Sequence, residues 1–278
     1  TFNDRPRDAI RAAALSQTQV SKSDMDHIRL GLAGTLQNYE LEDQYGNSKL
    51  GIKFGQSSYA LDPADIINYV SKHDNETLWD NLQYTAHLNV ETSSETRVRV
   101  HSLSAAIPLL SQGIPFFQLG VDKLRSKSMD RNTYDAGDWF NRLDYTNQSN
   151  NWHVGLPIER DSKYQQANST NSNSQVSASQ IDTASEIFQD FLKIRKSSPL
   201  FRLTDEAQIK RRIGFHNTGV EQTPGLIVMS IDDGVGTTDL DPNLDALVVI
   251  INGTGSALNH KVKSDTGFSL IEIQAKGQ

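Results

Sequence analysis

The chain has 278 residues, with 27 Lys and Arg against 34 Asp and Glu, a net charge of −7 and no cysteine. That length suits one large α/β domain, or a medium domain followed by a small one. The lack of cysteine excludes disulfides and thiolate metal sites. With no basic cluster and no apolar run near the ~20 residues that span a bilayer, neither nucleic acid nor a membrane is an expected partner.

In chain order, Asn3 or Asp4 can cap a first helix whose apolar stripe runs through Ile10, Ala13 and Ala14 to Leu15. Residues 16–60 are polar, with a helical pattern over Met25–Leu36. Ile66–Val70 is a compact β-branched and aromatic run that predicts a buried strand, and a helix through Leu78, Trp79 and Leu82 follows it. Residues 96–110 repeat apolar side chains at helical spacing, with Pro108 predicting a kink or an early end and Gly113 closing the segment. Ile114–Phe117 reads as the next strand. Strand, loop, helix, strand is the order of parallel βαβ units, whose chemistry collects after the carboxyl ends of the strands.

Residues 161–180 are rich in Ser, Asn and Gln and read as a solvated loop, and helical period returns over 181–196. After Pro199 the character changes to short β runs at Leu226–Ile231, Leu247–Ile251 and Phe268–Ile273. The fold class is therefore α/β plus all-β, with residues 1–198 as the first domain and 199–278 as the second.

Two clusters carry candidate chemistry. His73, Asp74 and Asn75 lie where the first strand ends, although Asp74 or Asn75 could equally cap the following helix. The second cluster runs from Arg125 through Lys127, Asp130 and Arg131 to Tyr134, Asp135, Asp138, Trp139, Phe140 and Arg142. Carboxylates and guanidinium groups grip hydroxyls, and flat rings cover the apolar faces of sugars. Taken singly, Trp139 and Phe140 read as core anchors, and Trp152 reads as a packing residue.

In sequence, these segments resemble the pullulanase and limit-dextrinase branch of the α-amylase superfamily of glycoside hydrolases. The likeness rests on Tyr-Val-Ser-Lys-His-Asp-Asn-Glu-Thr-Leu-Trp-Asp at 69–80, Gly-Ile-Pro-Phe-Phe at 113–117, Leu-Arg-Ser-Lys-Ser-Met-Asp-Arg at 124–131, Gly-Asp-Trp-Phe-Asn-Arg-Leu-Asp at 137–144 and Asn-Asn-Trp at 150–152. Phe-Asn-Asp-Arg near the start and Leu-Lys-Ile-Arg-Lys-Ser-Ser-Pro-Leu-Phe-Arg at 192–202 extend it over nearly the whole chain. Pro6, Asp122 and His153 depart from the family's usual aliphatic residue, Glu and Gly.

The resemblance implies the C-terminal part of a (β/α)8 barrel followed by a β-sandwich domain, with the sandwich ending early at Gln278. It implies starch debranching by hydrolysis of α-1,6-glucosidic links in pullulan and branched dextrins, through a retaining mechanism. Asp74 would stabilise the transition state, His73 would hold the sugar being cleaved, Asp138 and Arg142 would grip the next glucose, and Asn75 would lie close by. The nucleophile and the acid/base, which the family places after its fourth and fifth strands, are not expected in this chain. Thr1 then fits a processed or excised piece that needs an N-terminal part of its own chain for turnover. An α-glucan is the expected partner, no organic cofactor is implied, calcium is admitted by the family without assignable ligands, and a secreted or periplasmic location is expected. The alternatives are a non-catalytic α-glucan-binding fragment and a degenerate member of the superfamily.

Overall fold

In the computed structural model, residues 2–14, 20–55, 58–83, 91–131, 137–154, 171–235, 238–262 and 267–275 are described. Helix α1 (Asp4–Ala14) starts where Asn3 Oδ1 accepts the amide of Arg5 at 3.1 Å, a side-chain cap of the expected kind. Helix α2 (Lys22–Leu32) begins three residues before the expected Met25 because Ser21 caps it, accepting from Asp24 N. It stops short of Leu36 because Gly34 and Thr35 both take left-handed backbone, with φ of 78° and 53°. The two helices pack so closely that a Cβ on Gly31 would sit 2.8 Å from Pro6 Cβ. Pro6 costs little there, since amides in the first turn have no helical partner. Strands β1 (Glu40–Glu42) and β2 (Ser48–Leu50) then form a short antiparallel hairpin.

The segment that positions the site is parallel. Strand β3 (Ile67–Asn68) pairs with β4 (Ile114–Pro115) in register Ile67↔Ile114 and Asn68↔Pro115, and Phe2 bridges Ile67 in parallel on the other side. Both strands are shorter than their apolar runs. The amides of Ile114 and Phe116 donate to Ile66 O and Asn68 O at 3.4 and 2.8 Å, while position 115, where proline has no N–H, faces away from β3. Ile66, Tyr69 and Val70 are nevertheless buried, as the run implies. Helices α3 (Leu78–Leu82) and α4 (Ser94–Leu110) make the crossover between the strands. Pro108 lies inside α4, which ends two residues later as Ser111 Oγ donates to Ile107 O at 2.8 Å.

Helix α5 (Ala178–Ser197) opens with a capping box between Ser177 and Gln180. The polar stretch expected as loop therefore ends earlier than 180, with a 3₁₀ turn at Ser172–Ser174 before the helix. Residues 161–170 of that stretch lie outside the described residues. After a 3₁₀ turn at Pro199–Arg202 and helix α6 (Glu206–Arg212), strands β5 (Ile213–Phe215), β6 (Leu226–Asp232) and β7 (Ala246–Asn252) form one antiparallel sheet in that order. β6 and β7 follow the two apolar runs that predicted them. The run Phe268–Ile273 does not make a strand: 267–271 is irregular and Glu272–Ala275 forms helix α7. Ile271 and Ile273 pack against the core instead, while Phe268 and Leu270 stay exposed. A spacing of alternate apolar residues served contact with a neighbouring surface as well as it would have served a ladder.

One apolar cluster joins the parallel unit to the antiparallel sheet, running from Ile10, Leu32 and Ile66 to Leu200, Ile209, Ile227 and Met229. Buried polar groups tie the same seam. Gln112 Nε2 donates to Leu200 O at 2.9 Å, and its Oε1 accepts from Leu203 N at 2.8 Å. Arg29, fully buried, donates to Asp26, Gln222 and the carbonyl of Asn217. These donors and acceptors would be costly to bury alone.

His101 on α4 is buried against Trp79, and its Nε2 donates to Val121 O at 2.8 Å while Nδ1 has no partner among the described residues. Burial lowers its pKa to about 4, the Val121 carbonyl only partly opposing that. The native state thus resists a proton that the unfolded chain accepts near 6.5. Stability carried by neutral His101 is present above pH 6.5 and lost as pH falls toward 4, by roughly 3 kcal/mol. Urea unfolding of the wild type and His101→Gln across that range should show the steeper acid loss only in the wild type.

Candidate functional site

The loop leaving β3 is shaped by its neighbours on both sides. Thr77, not Asp74 or Asn75, caps α3, with its Oγ1 accepting from Asp80 N at 3.1 Å. This overturns the capping alternative and leaves Asp74 directed elsewhere. Lys72 Nζ donates to both Asp74 oxygens, at 2.7 and 2.8 Å. That ammonium also lies 5.1 Å from the ring centre of Phe2 and 5.7 Å from that of Tyr69, so two aromatic faces help to hold it. Partial burial pushes the Asp74 carboxyl up. The Lys72 hydrogen bond, Asp74's own amide and the charges of Lys72 and His73 outweigh it, and its pKa ends below the usual value. Asp74 is an ionised, solvent-facing carboxylate beside an exposed His73.

Asn75 has a left-handed backbone, φ 60°, and is fixed at two points. Its carbonyl accepts from Lys127 Nζ at 2.6 Å and its Oδ1 from Arg131 Nη2 at 3.1 Å. Glu76 behind it is buried, 2.9 Å from Arg131 Nε, and accepts from Asn81 Nδ2. Asp80, at the start of α3, is fully buried and takes Ser126 Oγ at 2.5 Å and the Lys127 amide at 2.7 Å. Burial pushes its pKa up to about 6, against those hydrogen bonds and the Lys127 charge. Asp80 is a residue that sequence reasoning placed only inside a motif. The available signal was Thr77-x-x-Asp80, which is close to a capping box.

The second cluster divides into supports and exposed groups. Phe140 is fully buried, as a core anchor should be, but Trp139 is 53% exposed and only leans edge-on against Phe140 at 5.4 Å. The core reading holds for Phe140 and fails for Trp139, because adjacent loop residues face opposite ways and only one position meets the core. Asp138 and Arg142 are both exposed. Trp152 is half-buried against the Trp79 cluster and donates to Ser174 Oγ at 3.2 Å. Tyr134 and Asp135 lie outside the described residues.

A cleft of about 250 Å³ brings the two loops together, lined by His73 on one side and Asn141 on the other, with Phe116, Phe117, Arg125 and Lys127 between. Asn141 belongs to the loop of Asp138 and Arg142, and its amide donates to Asp138 O at 3.1 Å. Such a cleft offers an imidazole, amides, cations and ring faces, a set suited to a neutral polyhydroxyl ligand. Among the described residues no three His, Asp or Glu side chains converge on a point that could hold a metal, so no ligand set for calcium is assigned.

Comparison with known proteins points the same way. Residues 147–278 match the family described as "Alpha-1,6-glucosidases, pullulanase-type, C-terminal". The pullulanase of Klebsiella pneumoniae is 39% identical over 286 aligned residues, which cover 91% of this chain and 26% of that protein. Pullulanase 1, chloroplastic, of Arabidopsis thaliana is 40% identical over 248, covering 84% of this chain and 26% of its own. Among solved structures, Klebsiella pneumoniae pullulanase complexed with maltotriose superposes over 100% of this chain and 29% of its own, with a TM-score of 0.90 and 36% identity. Residues 147–278 belong to the pullulanase-type C-terminal family, and the chain is similar to pullulanases along nearly its whole length. It spans less than a third of the length of these pullulanase relatives.

Lys72 is the lever on the charge of Asp74. Lys72→Met should raise the Asp74 pKa toward the ordinary carboxylate value, because the dominant favourable partner is gone. Carboxyl ¹³C titration of both chains checks this, and an unchanged Asp74 midpoint would remove Lys72 from the account.

Proposed function

We propose that the chain forms one side of the active-site cleft of a starch-debranching hydrolase acting on α-1,6-glucosidic links in pullulan and branched dextrins. The observation that carries this is the ionised Asp74 next to His73 in the loop after a parallel strand, with His73 lining a cleft that Asn141 of the Asp138–Arg142 loop also lines. Cleavage of a glycosidic bond builds positive charge on the sugar ring, and an anion fixed beside that ring stabilises the transition state more than the ground state. Asp74 takes that role. His73 donates to a hydroxyl of the same sugar, Asn75 shapes the loop, and Asp138 with Arg142 bracket the neighbouring glucose through paired acceptor and donor bonds.

The reading includes a retaining mechanism, whose nucleophile and acid/base carboxylates stand about 5 to 5.5 Å apart. It takes both from outside these 278 residues. Asp4 and Asp8 are engaged by Arg7 on α1 and do not substitute for them. The parallel pairs Phe2–β3–β4, with Phe2, Ile114 and Phe116 still exposed, support a larger (β/α)8 barrel of which residues 1–198 form the last part. Residues 199–278 would then belong to a β-sandwich domain contributing the β5–β7 sheet. A secreted or periplasmic location is part of the same reading.

Two measurements test it. Incubated with pullulan, the chain should release no reducing sugar, and turnover by contaminant-free protein would remove the claim that the two carboxylates lie elsewhere. Isothermal titration with maltotriose should show saturable binding that Asp138→Ala weakens at least tenfold, roughly the loss of one charge-assisted hydrogen bond. Absence of binding at millimolar sugar would overturn the glucan assignment.

A further inference from the structure

Between the two ligand loops lies the short segment Arg125–Ser126–Lys127. It is bounded by left-handed residues, Leu124 with φ 54° and Ser128 with φ 52°, so its path is tightly constrained. Its three side chains divide the work. Ser126 is fully buried: its amide donates to Asn150 O at 2.8 Å and its Oγ to Asp80 Oδ1 at 2.5 Å, while Ser128 N donates back to that Oγ at 2.8 Å. The second oxygen of Asp80 takes the Lys127 amide at 2.7 Å. One buried carboxylate therefore holds the segment with both oxygens.

Arg125 and Lys127, on either side of that anchor, both line the cleft and reach in different directions. Lys127 Nζ donates to the carbonyl of Asn75 at 2.6 Å, within the His73–Asp74 loop. The Arg125 guanidinium donates to Leu119 O at 3.0 Å and to Asn141 O at 2.7 Å, and also to Asn141 Oδ1, within the Asp138–Arg142 loop. Gly120 lets it lie there, since a Cβ at that residue would come within 2.9 Å of Arg125 Cβ and Cδ. On the other face of the same loop, Asn151 Nδ2 donates to Phe140 O. The cations of the segment are thus engaged with protein carbonyls, which makes them supports more than ligand donors.

We propose that Arg125 and Lys127 are positioning residues that fix the separation between the His73–Asp74 end and the Asp138–Arg142 end of the cleft, and so set which length of α-glucan engages both ends. The proposal rests on the glucan reading for its ligand, while the positioning itself stands on the protein's own contacts.

The test is a crossed one, made by NMR on the isotope-labelled 278-residue chain with maltotriose as the probe. Lys127→Met should move the amide signals of residues 73–76 and leave those of Asn141 and Arg142 in place. Arg125→Gln should do the reverse. Each variant should bind maltotriose about tenfold more weakly, because the loop it no longer holds presents its end of the cleft less precisely. Lys127→Arg, which keeps a cationic donor, should recover part of that loss and replaces Lys127→Met if the β5–β7 amide signals show the latter misfolded. A variant that moves both loops together, or neither, overturns the positioning role. Crossed shifts in a chain whose wild type binds no maltotriose would keep the positioning role and remove the glucan reading.

Discussion

Asp80 is the group on which the geometry of the cleft depends. A carboxylate with no exposed surface is tolerated only if its lone pairs are satisfied, and here they are satisfied by a different part of the chain, Ser126 and the amide of Lys127. The same residue sits in the first turn of α3, where an anion is favoured by the helix N-terminus and where Thr77 closes the turn. Strand end, helix start and cleft segment therefore share one polar centre. Because the donors come from residues 46 and 47 positions away in sequence, the centre exists only once the parallel unit has assembled.

Much of this was legible in the sequence wherever local chemistry decided the outcome. The apolar run before His73 marked a buried segment ending in charged residues, and α4, β6 and β7 lie where apolar spacing placed them. What was not legible depended on partners far along the chain. Nothing local shows that Lys127 reaches the carbonyl of Asn75, 52 residues away, or that Asp80 binds a loop and not solvent. Trp139 and Phe140 are equivalent in sequence, and only the facing surface separates the exposed ring from the buried one. Phe268–Ile273 failed for a related reason, since its spacing suits a strand but the available neighbour was a packed surface.

The two halves of the chain also share more than a connection. Arg29 and Gln112 are buried side chains whose donors satisfy carbonyls across the seam, Arg29 at Asn217 and Gln112 at Leu200, while Arg195 does the same within the first half at Leu109, Ser111 and Gly113. Turn and helix-end carbonyls are the groups a packed interior leaves unpaired most readily. Long side chains reaching across the seam let the parallel unit and the antiparallel sheet meet without trapping them.

The placement of Lys72 beside the paired rings of Phe2 and Tyr69 has an evolutionary consequence for Asp74. Residues 2 and 74 never touch in sequence, yet the ring at one helps to orient the ammonium that keeps the other charged. With Asp74 in the role proposed for it, selection on its charge would reach back to the opening residues of the chain. Drift at Phe2 is then limited by its contact with Lys72 as well as by its packing on Tyr69 and Phe116.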